Sequence, residues 1–194
     1  MARCDVYWEI AVHNDEERLI RRFQAGDVSA FEQLYDRYAD RVYAYIALRV
    51  GHGPLAEDLT ADVFLRALEK RASFRWRNKP YLAWLLRVAH NAVVDHWRRE
   101  RRAQTVPWDK PLRDKAEDLV SALEKKLTLE RVRAALTQLT ALQQQVIALR
   151  FGSGLSIAET AQVMSKSRGA VKNLQHKALV ALRAQLGVSG ESGR

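Results

Sequence analysis

The chain has 194 residues and 47% of them are hydrophobic, which is enough to bury a sizeable core and argues against an intrinsically disordered protein. Its net charge is +9, which favours a polyanionic partner, with nucleic acid as the first candidate. The one cysteine, Cys4, excludes an internal disulfide framework and a cysteine-cluster metal site, and it favours a cytoplasmic protein.

The first 14 residues predict a loosely ordered N-terminal extension. Their stretch CDVYWEIAV is apolar but short, carries Asp5 and Glu9, and lacks the basic start of a signal peptide. No segment of the chain reaches the ~20 apolar residues of a membrane-spanning helix. We therefore expect no membrane insertion.

Charge is unevenly distributed along the chain. Residues 15–65 hold six basic and ten acidic side chains, whereas residues 66–102 hold eleven and three. Residues 103–124 hold three basic and five acidic side chains together with two prolines, and residues 150–183 hold six basic side chains and one acidic side chain. The predicted division is an N-terminal extension (1–14), a first helical domain (15–102), an acidic linker (103–124), a second helical domain (125–186) and a flexible tail (187–194).

Helical periodicity runs through nearly the whole chain and strand alternation is absent, so the predicted fold class is all-α with two helical domains. One apolar stripe begins at Phe31 and ends at Ile46, and Asp27 can cap its helix while Gly51 can end it. The sequence predicts further helices at 15–25, 54–71, 80–102, 128–139, 141–151, 156–163 and 167–185.

The helix predicted within 54–71 has an acidic stripe opposite its apolar face. The apolar face consists of Leu59, Val63, Ala67 and Leu68. The opposite stripe consists of Asp58, Asp62, Leu65 and Glu69. An apolar side chain among acids can lose its water against a partner whose basic groups pair with those acids, so the stripe is a candidate protein interface. A solvated acidic face is the alternative.

Aromatic and basic side chains alternate in the segment RASFRWRNKPY, residues 71–81. They are Arg71, Phe74, Arg75, Trp76, Arg77, Lys79 and Tyr81. Rings stack on exposed bases while cations hold phosphates, so the segment predicts contact with an unpaired nucleic-acid strand. The alternative is a loop whose aromatic side chains fold back into the core.

The helix that follows has an apolar side and a polar side. On a helical wheel the apolar side consists of Leu85, Leu86, Val88, Ala89, Ala92, Val93 and Trp97. Arg87, Asn91 and Arg98 line the other side. Trp97 is therefore predicted to belong to the core, and the arginines around Asn91 form a candidate nucleic-acid surface.

The segment LSIAETAQVMSKSRGAVKNLQHKALVALR, residues 155–183, is the most specific motif in the chain. Ser156 and Glu159 fit a capping box. The spacing of a helix-turn-helix is met by Ala161, Ser165 and Val171. The face of the second helix that is left for a major groove consists of Arg168, Lys172, Asn173, His176 and Lys177. A solvated basic helix is the alternative.

No motif in the chain predicts catalysis, a metal site or a cofactor. The five histidines lack metal-ligand spacing with acids or with the cysteine, and the chain has no glycine-rich phosphate loop and no nucleophile elbow. We therefore expect a protein that is not an enzyme and that needs neither a metal nor a cofactor.

The order of these parts resembles the extracytoplasmic-function group of bacterial sigma factors. The matching blocks are AFEQLYDRYADRVYAYI, AEDLTADVFLRALEK and WLLRVAHNAVVDHWRRERR, followed after a linker by LTQLTALQQQVIALRF and the helix-turn-helix. The resemblance covers roughly residues 15–185. It implies sigma regions two and four joined by a linker, and a promoter-specific initiation factor that acts with RNA polymerase core on promoter DNA.

The resemblance also implies roles for individual residues. The match to the segment that docks on the clamp helices of the polymerase β′ subunit comprises Asp58, Leu59, Asp62, Val63, Phe64 and Leu65. The match to the loop and helix that capture a flipped base and help to melt the minus-ten element comprises residues 71–81 together with Arg87, Asn91, Asp95, Arg98 and Arg99. The match to the reader of the minus-thirty-five element comprises Ser167, Arg168, Lys172, Asn173, His176 and Lys177.

Further partners follow from the same resemblance. Residues 103–124 match the linker that threads through the polymerase, where negative charge can mimic nucleic acid. The polymerase β flap and an anti-sigma factor are expected partners of such a protein. Leu174 and Gln175 stand where family members often have a basic residue followed by leucine, so the contacts of that turn do not carry over.

Two other classes of protein are compatible with the residues alone. One is a helix-turn-helix regulator that binds duplex operators directly and uses residues 15–102 as a sensory or dimerising domain. The other is an RNA-binding or other nucleic-acid adaptor that uses the arginine-rich aromatic segment without a promoter.

Overall fold

A computed structural model describes residues 15–74, 80–103 and 131–187 of the chain, and every element in these ranges is helical. The predicted segments 1–14, 75–79 and 104–130 and the tail from 188 lie outside the described residues. The elements are α1 (15–24), α2 (Val28–Val50), α3 (Pro54–Glu69), a 3₁₀ turn (Arg71–Ser73), α4 (Tyr81–Ala103), α5 (131–137), α6 (Ala141–Ile147), a π-helical turn (Ala148–Gly152), α7 (Ile157–Met164) and α8 (Arg168–Leu186).

The ends of α2 and α3 follow from local chemistry. Asp27 accepts a hydrogen bond from the Ala30 amide and caps the N-terminus of α2, as predicted. Gly51 ends α2 with a φ of 94°, a conformation that side chains disfavour. Pro54 then occupies the first position of α3, where its missing N–H costs no hydrogen bond.

Helices α1 to α4 form a bundle, and one buried carboxylate links three of these helices. Glu16 of α1 is buried and accepts hydrogen bonds from the Tyr38 hydroxyl of α2 at 2.6 Å and from the Tyr81 amide of α4 at 3.0 Å. The Tyr81 amide is one of the free N–H groups at the start of α4, so Glu16 caps that helix from another element. Burial, followed by the contact with Glu16, raises the pKa of Tyr38.

Capping residues also determine where the short helices of the second half begin. Thr140 and Gln143 form a reciprocal capping box at the start of α6, and Ser156 and Glu159 form the predicted one at the start of α7. The predicted helix 141–151 is α6 continued by the π-helical turn. Ser165, which ends α7, adopts a left-handed conformation with φ 53°.

The two predicted domains share one hydrophobic core. Buried side chains of α1 to α4 form a continuous cluster that also contains Ala148, Leu149, Leu155 and Val163 from the second half. A smaller cluster holds α5, α6 and α8 together through Leu136, Leu139, Ile147 and Ala178. The second half therefore packs on the first as well as on itself.

Candidate nucleic-acid interface

The second helix of the helix-turn-helix presents the predicted basic face to solvent. The six predicted residues are all exposed: Ser167, Arg168, Lys172, Asn173, His176 and Lys177. Val171 and Ala178 on the opposite side are buried, as the helical wheel requires. Because four of the exposed side chains are basic or imidazole groups and one is an amide, the face can contact phosphates and base edges.

The turn in front of this helix fixes its direction. Ser165 supplies the left-handed residue between α7 and α8, and the Ser167 hydroxyl accepts a hydrogen bond from the Ala170 amide to cap α8. Arg150 of the π-helical turn donates to Gln175 on α8 at 3.0 Å and also to the Leu155 carbonyl. Sequence reasoning missed this arginine, because nothing in local spacing shows that residues 150 and 175 meet.

The polar side of α4 is exposed where the sequence predicts it. Arg87, Asn91, Arg98 and Arg99 are exposed, while Leu85, Leu86, Ala89, Ala92 and Val93 are buried. Trp97 is half-buried against the core, and the Arg49 guanidinium lies 4.7 Å from the centre of its ring. The tryptophan therefore anchors the end of α4 beneath the arginines that follow it.

Arg49 belongs to a polar cluster beneath this face. Its Nε and Nη1 atoms are buried and have no hydrogen-bond partner in the part of the chain that the structure describes. The Tyr45 hydroxyl lies 3.2 Å from Nδ1 of His90 in the same cluster. Burial raises the pKa of Tyr45 to about 12, and burial together with the nearby Arg49 charge lowers the pKa of His90, so both groups favour their neutral forms in the folded chain.

Asp95 takes part in a network of charges that joins α3 and α4. Its carboxylate lies 4.0 Å from Arg66 and 3.9 Å from Arg98, and Arg66 also pairs with Asp62 at 2.8 Å. Three of these four residues, Asp62, Asp95 and Arg98, are among the predicted interface residues, and each already has an oppositely charged neighbour within the chain.

The segment after α3 is only partly inside the described residues. The predicted residues Arg75, Trp76, Arg77 and Lys79 lie outside them. Phe74 is half-buried, its carbonyl accepts a hydrogen bond from Gln24, and its ring lies 5.3 Å from Tyr81 and 5.0 Å from Trp84. Arg71 is half-buried and donates to the Leu68 carbonyl at 3.1 Å.

Tyr81, one of the three aromatic residues predicted as candidates for stacking on an unpaired base, has no open ring face in this conformation. Its side chain is only 1% exposed and packs against Phe23, Phe74 and Trp84. A ring that serves as a stacking platform needs one open face, and the faces of Tyr81 are covered. The alternative in which aromatic side chains fold back into the core therefore holds for this residue.

The residues of α3 that are predicted to meet a partner separate into exposed and buried members. Asp58, Leu65 and Glu69 are exposed, with Leu65 at 54%, and the side chain of Asp62 is 36% exposed. Leu59, Val63 and Phe64, which the resemblance placed in the docking segment, are buried in the core. They can hold α3 in place but cannot contact a partner in this conformation, so the open surface is the stripe around Leu65.

No group of three or more potential metal ligands occurs within 15–74, 80–103 and 131–187. Among the helices in those ranges, none combines the length and apolarity that crossing a bilayer requires.

Two family models match the chain. One is described as Sigma-70 region 2 and matches residues 34–103, and the other is described as Sigma-70, region 4 and matches residues 135–184. The first match covers the helices that carry the acidic stripe and the α4 face, and the second covers the helix-turn-helix.

Curated relatives are similar to this chain over most of its length. The ECF RNA polymerase sigma factor BldN of Streptomyces coelicolor is 41% identical over 167 residues, which are 83% of this chain and 62% of BldN. The ECF RNA polymerase sigma factor SigX of Bacillus subtilis is 34% identical over 164 residues, which are 80% of this chain and 83% of SigX. The chain thus spans somewhat less than two thirds of BldN and most of SigX.

Solved structures share the fold. CnrH, in complex with the cytosolic domain of CnrY, aligns with a TM-score of 0.69 at 24% identity over 90% of this chain and 99% of that chain. The sigma factor RpoE, in complex with the anti-sigma factor NepR from Bartonella quintana, aligns with a TM-score of 0.66 at 23% identity over 82% and 98%. The alternative of a helix-turn-helix regulator that binds duplex operators is not favoured. It would use residues 15–102 as a sensory or dimerising domain, and the region-two model matches residues 34–103 of that segment.

Proposed function

Because the chain belongs to the extracytoplasmic-function sigma factors of bacterial RNA polymerase, we propose that it binds polymerase core and directs initiation at promoters. In this role it recognises the minus-ten and minus-thirty-five elements and stabilises melted DNA, and it performs no catalysis of its own. It works where the polymerase works, in the cytoplasm. The proposed division is region two at 15–102, the linker at 103–124 and region four at 125–186.

The exposed face of α8 is the observation that carries this proposal. A capped helix that follows a left-handed turn and presents six exposed polar residues is what a major groove accepts. In a sigma factor this face reads the minus-thirty-five element. The exposed basic side of α4 reads and stabilises the minus-ten region, and Arg98 and Arg99 beyond Trp97 meet its phosphates.

The stripe around Leu65 is the proposed contact with the β′ clamp helices. Leu65 supplies exposed apolar surface, and Asp58 lies on the same face two helical turns earlier. Acids around an apolar centre complement a partner with basic groups and a desolvated core. The β flap and an anti-sigma factor are further candidate partners that family membership suggests.

Reconstitution with purified polymerase core tests the proposal. We expect run-off transcription from genomic promoter fragments only when the chain and core are both present. Asp58→Lys and Leu65→Asp should each weaken competition for core, since a misplaced charge at an interface costs several kcal/mol. Asp62 is left unchanged because its loss would also free Arg66.

A matched substitution controls for the change in net charge. Asp36→Lys, on the exposed side of α2, alters charge as Asp58→Lys does and should leave affinity for core unchanged. Unaltered competition by both α3 variants would remove the docking surface from the proposal. A direct shift of duplex operator DNA by the free chain, without any response to core, would favour a regulator instead.

A further inference from the structure

Helix α4, which carries the proposed minus-ten face, is attached to the core unevenly along its length. Buried side chains occur in each turn from Tyr81 to Val93. The side chains from Arg98 to Arg102 are all exposed. Trp97 is half-buried, and among the described side chains it is the last apolar one of α4 that packs on the core. The position of the basic end of α4 therefore depends on how Trp97 is held.

Two side chains of α2 contact this half of α4 from beneath. Tyr45 and Arg49 lie one helical turn apart on α2. The Tyr45 hydroxyl lies 3.2 Å from Nδ1 of His90, and the Arg49 guanidinium carbon lies 4.7 Å from the centre of the Trp97 ring. His90 and Trp97 are two helical turns apart, so both lie on the side of α4 that faces α2. Helix α2 thus holds the second half of α4 at two points.

A guanidinium at position 49 destabilises the fold. Arg49 is 8% exposed, and its Nε and Nη1 atoms are buried without a hydrogen-bond partner in the described part of the chain. A buried donor that leaves water without gaining an acceptor costs free energy, and the cost is larger for a charged group. Burial also lowers the pKa of Arg49. An apolar side chain of similar size would fill this space without these costs, so packing alone does not account for an arginine.

A cation constrains an aromatic ring in a way that an apolar side chain does not. The faces of the ring are negative and its edge is positive, so a guanidinium is attracted to a face and repelled by the edge. An apolar side chain has no such preference. The contact with Arg49 therefore favours one orientation of the Trp97 ring, and with it the direction in which the end of α4 leaves the bundle. Arg98 and Arg99 are the next two residues, so they move with Trp97.

We propose that Arg49 is a positioning residue for the minus-ten face and acts through Trp97 on the basic end of α4. The inference rests on the proposed function, because it takes α4 as the helix that reads the minus-ten element. Arg49 is buried, so it does not itself meet the DNA. Asn91 directly follows His90, and Arg98 directly follows Trp97, so both contacts with α2 place a residue of the face. Loss of Arg49 weakens minus-ten binding while the stability of the fold is kept or raised.

Arg49→Met tests the inference, since methionine is a long side chain without charge. The unaltered chain and the variant are each assembled with polymerase core. Each holoenzyme is titrated with a fluorescent oligonucleotide, the single nontemplate minus-ten strand of a promoter that run-off transcription has identified. We expect the variant holoenzyme to bind this strand about tenfold more weakly and to form with unchanged affinity for core. The urea midpoint of the free variant should equal or exceed that of the unaltered chain, because two unpaired buried donors are removed.

A double-mutant cycle shows whether Arg49 acts through Trp97. Trp97→Leu should also weaken binding of the strand, and Arg49→Met should add no further loss in the Trp97→Leu background, since residues that act as a unit are not additive. If Trp97→Leu does not fold, Trp97→Phe takes its place in the cycle, because phenylalanine keeps a ring that attracts a cation less strongly. Arg37→Met removes one charge from the exposed side of α2 and controls for net charge, so it should leave strand binding unchanged.

Three results would overturn the positioning role. A lower urea midpoint together with weaker strand binding in Arg49→Met would mean that Arg49 only stabilises the fold. Additive losses in the cycle would mean that Arg49 does not act through Trp97. Unchanged strand binding by the Arg49→Met holoenzyme would mean that it has no part in the minus-ten face. Failure of the unaltered holoenzyme to bind any promoter strand would instead contradict the proposed function, and the inference would fall with it.

Discussion

Glu16 shows how one side chain can fix the geometry of a bundle. Its carboxylate joins α1, α2 and α4 through the Tyr38 hydroxyl and the Tyr81 amide. Glu16→Ala leaves two buried donors without an acceptor, at ~1–3 kcal/mol each. We therefore expect the free energy of unfolding to fall by about 2–6 kcal/mol, as measured by urea denaturation.

The neighbouring Asp15 provides the control for this substitution. It is exposed and pairs with Arg18 and Arg37 at the surface. Asp15→Ala should lower stability by less than about 1 kcal/mol, because solvent screens such pairs. Equal losses of unfolding free energy from the two substitutions would mean that the buried hydrogen bonds of Glu16 stabilise the fold no more than the exposed ion pairs of Asp15 do.

At the scale of the residue, the sequence predicts which side chains are buried better than it predicts which side chains they contact. The helical wheel places Val63, Val93 and Val171 inside, and all three are fully buried. It cannot show that Arg49 covers Trp97, since those residues lie on different helices. It also cannot show that the Tyr81 side chain points inward, because an aromatic residue at the start of a helix can either pack in the core or stack on a base.

Variants of the exposed face of α8 can separate the proposed reading of bases from the binding of phosphates. Asn173 and Lys177 both lie on the exposed face of α8, with Lys177 nearer its flank. An amide that reads a base edge should contribute ~1–3 kcal/mol of discrimination, whereas a phosphate contact should weaken all sequences alike and lower the salt slope by about one. We expect Asn173→Ala to change sequence preference and Lys177→Ala to change salt dependence.

A promoter library that is randomised upstream of a fixed minus-ten element measures both effects. Holoenzyme made with each variant is assayed at several salt concentrations. Gln185→Ala, near the exposed end of α8, should leave both readouts unchanged. If the preferred upstream sequence is the same for every variant of the α8 face, the recognition role of that face is wrong.

At the scale of the element, capping chemistry made the boundaries predictable. Asp27, Gly51, Ser156 and Glu159 occupy the positions that their side chains or backbone freedom suggest, and the structure confirms each one. The π-helical turn was not predictable, because its backbone hydrogen-bond pattern leaves no mark in apolar spacing. That turn carries Arg150 and Gly152, so the missed element is the one that contacts both α8 and α2.

At the scale of the whole molecule, the shared core predicts coupled unfolding. All five tryptophans precede residue 131, so their fluorescence reports on the chain outside the described part of region four. Leu149→Ala in region four should cost about 2–5 kcal/mol and should lower the thermal midpoint seen by tryptophan fluorescence and by circular dichroism together. Val180→Ala, at an exposed position, should lower neither midpoint. Separate transitions for the two probes would show that the regions unfold independently.

The sequence does not predict how the two regions pack against each other. Block order, periodicity and charge predict two helical domains and their exposed faces. The contact of Arg41 with Ser153 joins residues 112 positions apart, and no local pattern encodes such a pair. A single glycine at position 152 likewise reads as an ordinary turn until the backbone of α2 is placed beside it.

The hydrogen bond from Arg87 to the Gln162 carbonyl makes region four an intramolecular competitor for one donor of the Arg87 guanidinium. Because the competitor is tethered, its effective concentration is fixed by the chain and cannot be diluted away. The apparent dissociation constant of any ligand that needs this donor is then the intrinsic one divided by the fraction of chains in which the bond is open, so each 1.4 kcal/mol that favours the bond weakens that ligand's binding by about tenfold.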